Sequence, residues 1–226
     1  MSQKFKSIDA LPATIPVFPL EGVLLLPRGQ LPLNIFEPRY LKMFEDSLAH
    51  GRFLGIIQPV PPKTAEEASG PTKLMQTGCL GRITSFSETD DGRMVVSLTG
   101  ICRFRVDEEL PVTTAYRQVR PNYQSFDSDL ISDVGALDVD RDSLLDVVRR
   151  YLDANGMTAD WDGIEQSGNE ALVNSLSIIS PYGPQEKQAL LEADSLAQRA
   201  DILIALTEMV LAQMASANGS NDNSMQ

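Results

Sequence analysis

Histidine is nearly missing from this 226-residue chain: His50 is the only one, so any catalytic triad or imidazole-rich metal site has to be assembled around it. Cysteine is scarce too. Cys79 and Cys102 fall in separate strand-like segments, at a spacing that suits neither a ligand pair nor a disulfide framework, and both read as reduced, buried thiols. A Gly-x-x-x-x-Gly-Lys-Ser/Thr run is absent, which removes the phosphate-cradling loop and its lysine, and with them an ATPase. Long apolar runs are lacking as well. Asp9, Pro12, Pro16 and Pro19 interrupt the first twenty residues, and the most apolar helical stretch, 202–212, is too short for a bilayer and carries Glu208. These readings predict a cytoplasmic protein with no export signal and no membrane partner. The last deficit is in basic charge. With 19 basic against 31 acidic residues the net charge is -12, a field that repels phosphate backbones and disfavours nucleic acid as a partner.

What remains is the composition of a globular protein. At 42% hydrophobic and 22% charged residues, a chain of this size buries roughly 70% of its unfolded surface and needs no staples. Short strand signals crowd the region from Thr14 to Arg120: Thr14–Phe18, Val23–Leu26, Leu33–Phe36, Phe53–Gln58, Cys79–Ser87, Met94–Thr99, Cys102–Glu108 and Ala115–Arg120. So many short strands imply a barrel or a sandwich. Asp90-Asp91-Gly92 supplies the positive φ of a tight hairpin between Cys79–Ser87 and Met94–Thr99. One helix is inserted, from about Pro38 to His50, with Leu41, Phe44 and Leu48 on a face and Gly51 placed for a left-handed cap. The run from Pro59 to Pro71 is turn-rich and aperiodic and reads as an exposed loop.

An acidic belt runs from Asp127 to Asp162, in which Arg141, Arg149 and Arg150 are the basic residues, and after its opening loop around Asp127 to Asp140 the period becomes helical. Ser143 with Asp146 suggests a capping box for a helix ending before Gly156. Further helices are expected over Glu170–Ile179, from Pro184, and from Ser195 to about Ala215, and the tail from Asn218 to Gln226 reads as disordered. The resulting division is a β-rich part, 1–123, a helical part, 124–217, and a tail, 218–226.

Several segments resemble one family. Ile15-Pro-Val-Phe-Pro-Leu-Glu-Gly-Val-Leu-Leu-Leu-Pro27 followed by Leu31-Pro-Leu-Asn-Ile-Phe-Glu-Pro-Arg-Tyr40, then Gly78-Cys-Leu-Gly-Arg-Ile83, then Val95-Val-Ser-Leu-Thr-Gly-Ile-Cys-Arg-Phe-Arg105 with its Gly-x-x-Arg-Phe pattern, are similar in order and spacing to the N-terminal domain of Lon proteases. In the helical part, Pro184-Gln-Glu-Lys-Gln-Ala-Leu-Leu-Glu192 and Arg199 extend the likeness. The resemblance implies an α+β fold in which a PUA-like β-barrel with one inserted helix is followed by an α-helical bundle. It also implies a substrate-engaging domain without cofactors, whose partners are unfolded or exposed polypeptide segments or another protein, and for which no ATPase or Ser-Lys protease part is visible. An adaptor role in protein quality control follows from that likeness. RNA binding is the alternative, because PUA-like barrels elsewhere hold RNA. For a hydrolase, neither cysteine lies near a helix start that would lower its pKa.

Among residues with tempting chemistry, His50 sits in the last turn of the inserted helix, where a cation complements the helix dipole. Asp138-x-Asp140-x-Asp142 imitates a calcium loop, but Ser143 stands where the sharp turn needs Gly and Arg149 where it needs a bidentate Glu. Glu37, Arg39 and Tyr40 either lock a strand-to-helix junction or present a recognition edge. Arg103 and Arg105 project to one side of a strand and either bind anionic groups or keep that face wet. Phe36 and Met43, with Phe53 and Met75, offer apolar surface to a client or pack in the core. The candidate binding set is therefore Phe36, Glu37, Arg39, Tyr40, Met43, Arg103 and Arg105.

Overall fold

The computed structural model describes residues 5–64 and 72–222. Six strands form one mixed sheet: β1 (Ile15–Pro19), β2 (Gln30–Ile35), β3 (Phe53–Pro59), β4 (Leu74–Glu88), β5 (Met94–Glu109) and β6 (Gln118–Asn122), in the order β2-β5-β4-β3-β1-β6. β6 also pairs with β5, so β5, β4, β3, β1 and β6 make a closed ring of hydrogen-bonded neighbours and β2 stays outside it. β1 runs parallel to β3, and helix α1 (Pro38–Ala49) belongs to the connection between them. Such a pairing needs a crossover, because a tight turn reverses chain direction.

Consecutive strand residues feed two different cores, as a period of two requires. Ile15, Val17, Ile57, Leu80, Phe104 and Val119 form one cluster. Their neighbours Phe18, Ile56 and Cys79 belong to the other, which also contains Leu144, Val173, Leu190 and Leu203 from the helices. The sheet and the helical part thus share a core. The β4–β5 hairpin turns where expected, with Gly92 at φ 78 and Thr89 N–H donating to Arg93 O at 2.9 Å.

Five strand expectations change, two of them in extent alone: Leu33–Phe36 becomes Gln30–Ile35, and Cys79–Ser87 begins at Leu74. Met94–Thr99 and Cys102–Glu108 are one strand, β5, with the register slipping between Leu80 and Gly81 opposite it. Gly100 therefore does not end a strand. It leaves room for backbone: a Cβ there would stand 2.0 Å from Leu26 O. Val23–Leu26 is not a strand but a connector whose Leu24, Leu25 and Leu26 are buried, since packing over Gly100 accounts for an apolar run without any ladder. The expected Ala115–Arg120 begins later, at Gln118.

The helices are α1, α2 (Arg141–Ala154), α3 (Trp161–Gln166), α4 (Asn169–Ile179), α5 (Pro184–Glu192) and α6 (Leu196–Asp222). In α1 Pro38 occupies the first turn and Gly51 takes φ 92 beyond the end, as the sequence predicts. Its buried face is centred on Tyr40, Met43, Phe44 and Ser47, with Leu41 and Leu48 on the flanks. The cap of α2 is Asp140, accepting from Ser143 N–H at 3.1 Å, so the helix starts ahead of the expected Ser143 box. The short α3 is unannounced by any apolar period. Helix α6 continues past Ala215 to Asp222, where a disordered tail was expected from Asn218; residues 223–226 lie outside the described residues, as does 65–71 of the proline-rich loop.

A buried polar seam welds the two parts. Arg103, 5% exposed, is bidentate to Asp129, with Nε–Oδ2 and Nη2–Oδ1 both 2.9 Å, and its Nη1 donates to Leu191 O and Ala193 O. Arg199 donates to Leu190 O and Asn174 Oδ1, and Asn174 donates to Pro27 O. Lys187, also buried, donates to Ser177 O and Ile178 O, both at 2.7 Å. Its ammonium thus closes the carbonyl end of α4, where a cation suits the helix dipole.

Candidate functional site

The junction between β2 and α1 places part of the candidate set at a surface cleft. Pro38 cannot donate a backbone hydrogen bond and holds the chain extended before it, with Glu37 at φ -71, ψ 131. Arg39 then folds back on Glu37 at 2.8 Å, and its guanidinium stacks 4.5 Å above the Tyr40 ring. Tyr40 lies 4.2 Å from Phe18, ring to ring, and burial raises its pKa. The cleft beside it, about 940 Å³, is lined by Tyr40, Tyr116, Val60 and the prolines 19, 59, 61 and 62. Charged side chains ring this apolar floor.

The rim is ordered by paired contacts. Arg117 forks onto Glu109, with both N–O distances 2.5 Å, and its Nη1 donates to Thr72 O at 2.7 Å. Tyr116 Oη donates to Asp46 Oδ2 at 2.9 Å. Burial, together with that carboxylate, pushes the Tyr116 phenol up to about 12, while Lys42 and then Tyr116, by hydrogen bonding, hold Asp46 below the usual carboxylate range. Rigid aromatic and proline surface with fixed charges around it suits an extended polypeptide.

Phe36, one residue before Glu37, is 62% exposed, with Arg93 5.9 Å from its ring centroid. The other candidates are dispersed. Met43 is wholly buried and Arg103 is sealed in the seam, so neither reaches a ligand. Strand alternation sets the side to which Arg103 points, but the 3-10 segment Gln124–Leu130 and the α5–α6 junction cover that side. Arg105, two residues on, lies beyond this cover and is exposed. Phe53 and Met75 are half-buried. His50 caps α1, with Nδ1 2.7 Å from Asp46 O.

Both thiols are buried and free, and burial pushes their pKa values up, the reverse of what a nucleophile needs. Asp140, singled out by the calcium-loop pattern, is spent on capping α2. Among the described residues no group of His, Cys, Asp and Glu is arranged to hold a metal ion, and no helix is long and apolar enough to cross a membrane. Pro59, Pro61 and Pro62 of the cleft read in the sequence as a loop signal, and Pro19 as an interruption of the first apolar run. Their meeting with Tyr40 and Tyr116 depends on β1 and β3 being parallel neighbours.

Residues 14–208 match the family described as ATP-dependent protease La (LON) substrate-binding domain. Lon protease of Flavobacterium johnsoniae is 26% identical over 202 residues, which are 85% of this chain and 23% of that protein. Lon protease of Desulfosudis oleivorans is 31% identical over 99 residues, 43% of this chain and 12% of its own length. The chain therefore spans under a quarter of the curated relatives it matches here. Two solved structures share the fold: the Lon N-terminal domain protein from Xanthomonas campestris (TM-score 0.58, 22% identity, 85% of this chain and 97% of that one) and the N-terminal domain of Mycobacterium avium complex Lon protease (TM-score 0.59, 14% identity, 86% and 98%).

Proposed function

Because the chain belongs to the family of Lon substrate-binding domains, we propose that it recognises exposed segments of other polypeptides, without catalysis of its own, and serves as an adaptor in protein quality control. The observation that carries this reading is the proline- and tyrosine-lined cleft that Arg39 and Tyr40 line, with the exposed Phe36 a few residues before them in the chain. Glu37 and Arg39 orient the rim, and Arg105 adds a cation on the outer surface. The return of β6 to β5 supports a PUA-like barrel as the scaffold, with 1–123 and 124–217 as its two subdomains. A cytoplasmic setting agrees with this role.

The test is fluorescence anisotropy with a reduced, carboxymethylated polypeptide that cannot refold. Binding in the micromolar range is expected, and Phe36→Ser with Arg39→Ala should weaken it about tenfold, the equivalent of about 1.4 kcal/mol. Absence of binding to any unfolded chain refutes the proposal. Tight, salt-sensitive binding to RNA in its place would favour the alternative, which the net charge of -12 opposes.

A further inference from the structure

A second surface lies on the helical side. Between the 3-10 segment Gln124–Leu130 and α2 the chain carries three exposed apolar side chains outward: Ile131 at 62%, Val134 at 48% and Leu137 at 99%. Ile179, at the end of α4 and 72% exposed, lines a cleft of about 530 Å³ together with Ser132 and Asp133 of that loop and with Ile178. Isolated exposed apolars are ordinary, but a set concentrated on one short loop beside a cleft marks an interaction surface.

The loop is held in one shape. Asp133 takes φ 61 and Gly135 φ 70; a left-handed non-glycine residue is disfavoured and persists where its surroundings fix it. Here Asp133 N–H donates to Glu170 Oε2 at 3.0 Å, Ala136 N–H to Asp133 O at 3.1 Å, and Asn169 Nδ2 to Ala136 O at 2.8 Å. Arg28 forks onto both oxygens of Glu170, sharing Oε2 with Asp133 N–H, and donates to Asp129 O at 2.5 Å. The apolar side chains are thus displayed from a preorganised turn tied to the start of α4.

Charge selects the occupant. Asp133 and Asp138 in the loop, and Asp127 and Asp142 before and after it in the chain, are all exposed, and none of the four is in an ion pair among the described residues. Among the cations nearby, Arg52 and Arg82 line a cavity that Leu130 and Ser132 also line, while three others are engaged. Arg141 turns inward to Asn169 Oδ1 and to the carbonyls of Ile164 and Glu165, Arg28 is paired with Glu170, and Arg150 pairs with Asp146 and Glu208. A second copy of the chain docking through this same face would set aspartates against aspartates, and an anionic surface would be repelled. The geometry points to a docking site for a basic amphipathic polypeptide segment, one whose apolar side chains seat on Ile131, Val134, Leu137 and Ile179 while flanking Lys or Arg residues meet the aspartates. This goes beyond the cleft at Tyr40: it is a separate surface with its own charge preference.

Two fluorescein-labelled peptides of equal length test it, one combining Leu with Lys and the other Leu with Glu, titrated with the full chain at low and at 0.5 M salt. The Lys peptide should bind at least tenfold more tightly and lose most of that advantage in high salt. Ile131→Ser with Leu137→Ser should weaken it at least tenfold, and Asp138→Asn with Asp142→Asn should lower both affinity and salt dependence. Val95→Ser, an exposed apolar on the sheet, should change nothing. Equal binding of the two peptides, or indifference to the loop variants, overturns the proposal. So does sedimentation showing a dimer that Leu137→Ser converts to monomer, since the face is then an interface between copies. The unfolded polypeptide probe, run on the same variants, separates the two readings. Its retention when Lys-peptide binding is lost establishes two surfaces, and its failure to bind while the Lys peptide does removes the quality-control reading alone.

Discussion

Removing the Asp129 carboxylate should be among the most damaging single changes in this protein. Asp129 accepts three hydrogen bonds from Arg103, from the backbone N–H, Nε and Nη2, each 2.9 Å, with side-chain exposures of only 6% and 9% for the pair. Asp129→Ala leaves a guanidinium enclosed beneath Phe126, whose ring centroid is 4.6 Å away, with only the carbonyls of Leu191 and Ala193 as acceptors. Breaking one side of a buried pair costs about 3–5 kcal/mol, a large part of the roughly 5–15 kcal/mol that holds a domain together. With a urea slope of about 2.5 kcal/mol/M, the midpoint should fall by about 1.5 M. The double variant Arg103→Leu with Asp129→Leu should recover more than half of the loss, because no charge is then stranded. A shift below about 0.4 M for Asp129→Ala, or a double variant no better than the single, would refute the argument that the seam is dry.

Gly100→Ala should cost about 3 kcal/mol or more, because its Cβ meets the Leu26 carbonyl at 2.0 Å, whereas Gly92→Ala, with open space and φ 78, should cost about 1 kcal/mol; paired urea melts compare them. Burial lowers Lys187 to about 8, against about 10.4 in an unfolded chain. Between those values the unfolded state holds the extra proton, so this residue makes stability rise with pH across that window. The difference in melting temperature between wild type and Lys187→Met should therefore change from pH 7.5 to 10, and a constant difference counts against it. Cys79 and Cys102 should resist a disulfide reagent at pH 8 until the chain is unfolded, and rapid labelling in native buffer would show the core open. Loss of the α2 cap in Asp140→Ala should cost about 1 kcal/mol in a thermal or urea melt.

Local chemistry was readable where a short stretch of sequence decides the outcome. Asp91-Gly92 fixed a turn, Pro38 a helix start and Gly51 a helix end, because each answers to its own backbone geometry. The failures lie where distant residues decide. Alternation placed Arg103 and Arg105 on one side of β5, but which of them is covered depends on Asp129, 26 positions away. Gly100 reads as a break until Leu26 is seen crossing it. Of the candidate residues, Phe36, Glu37, Arg39 and Tyr40 read as one motif because they are neighbours in the chain, while Met43, in the next turn of the same helix, is interior. The cleft wall formed by Tyr116 and Val60 left no signal near that motif, since the ring of strands alone brings it there.

That ring also sets an order of events for a chain emerging from a ribosome. Ile15 pairs with Val119, so one side of β1 waits for a partner roughly 100 residues later, and closing so long a loop is slow compared with local hairpin and helix formation. At about 5–20 residues per second of synthesis, β1 spends on the order of 5–20 seconds with that side open, even if the β4–β5 hairpin has zipped. During that interval the nascent protein displays an unpaired apolar strand, the kind of feature that it is itself proposed to recognise in others.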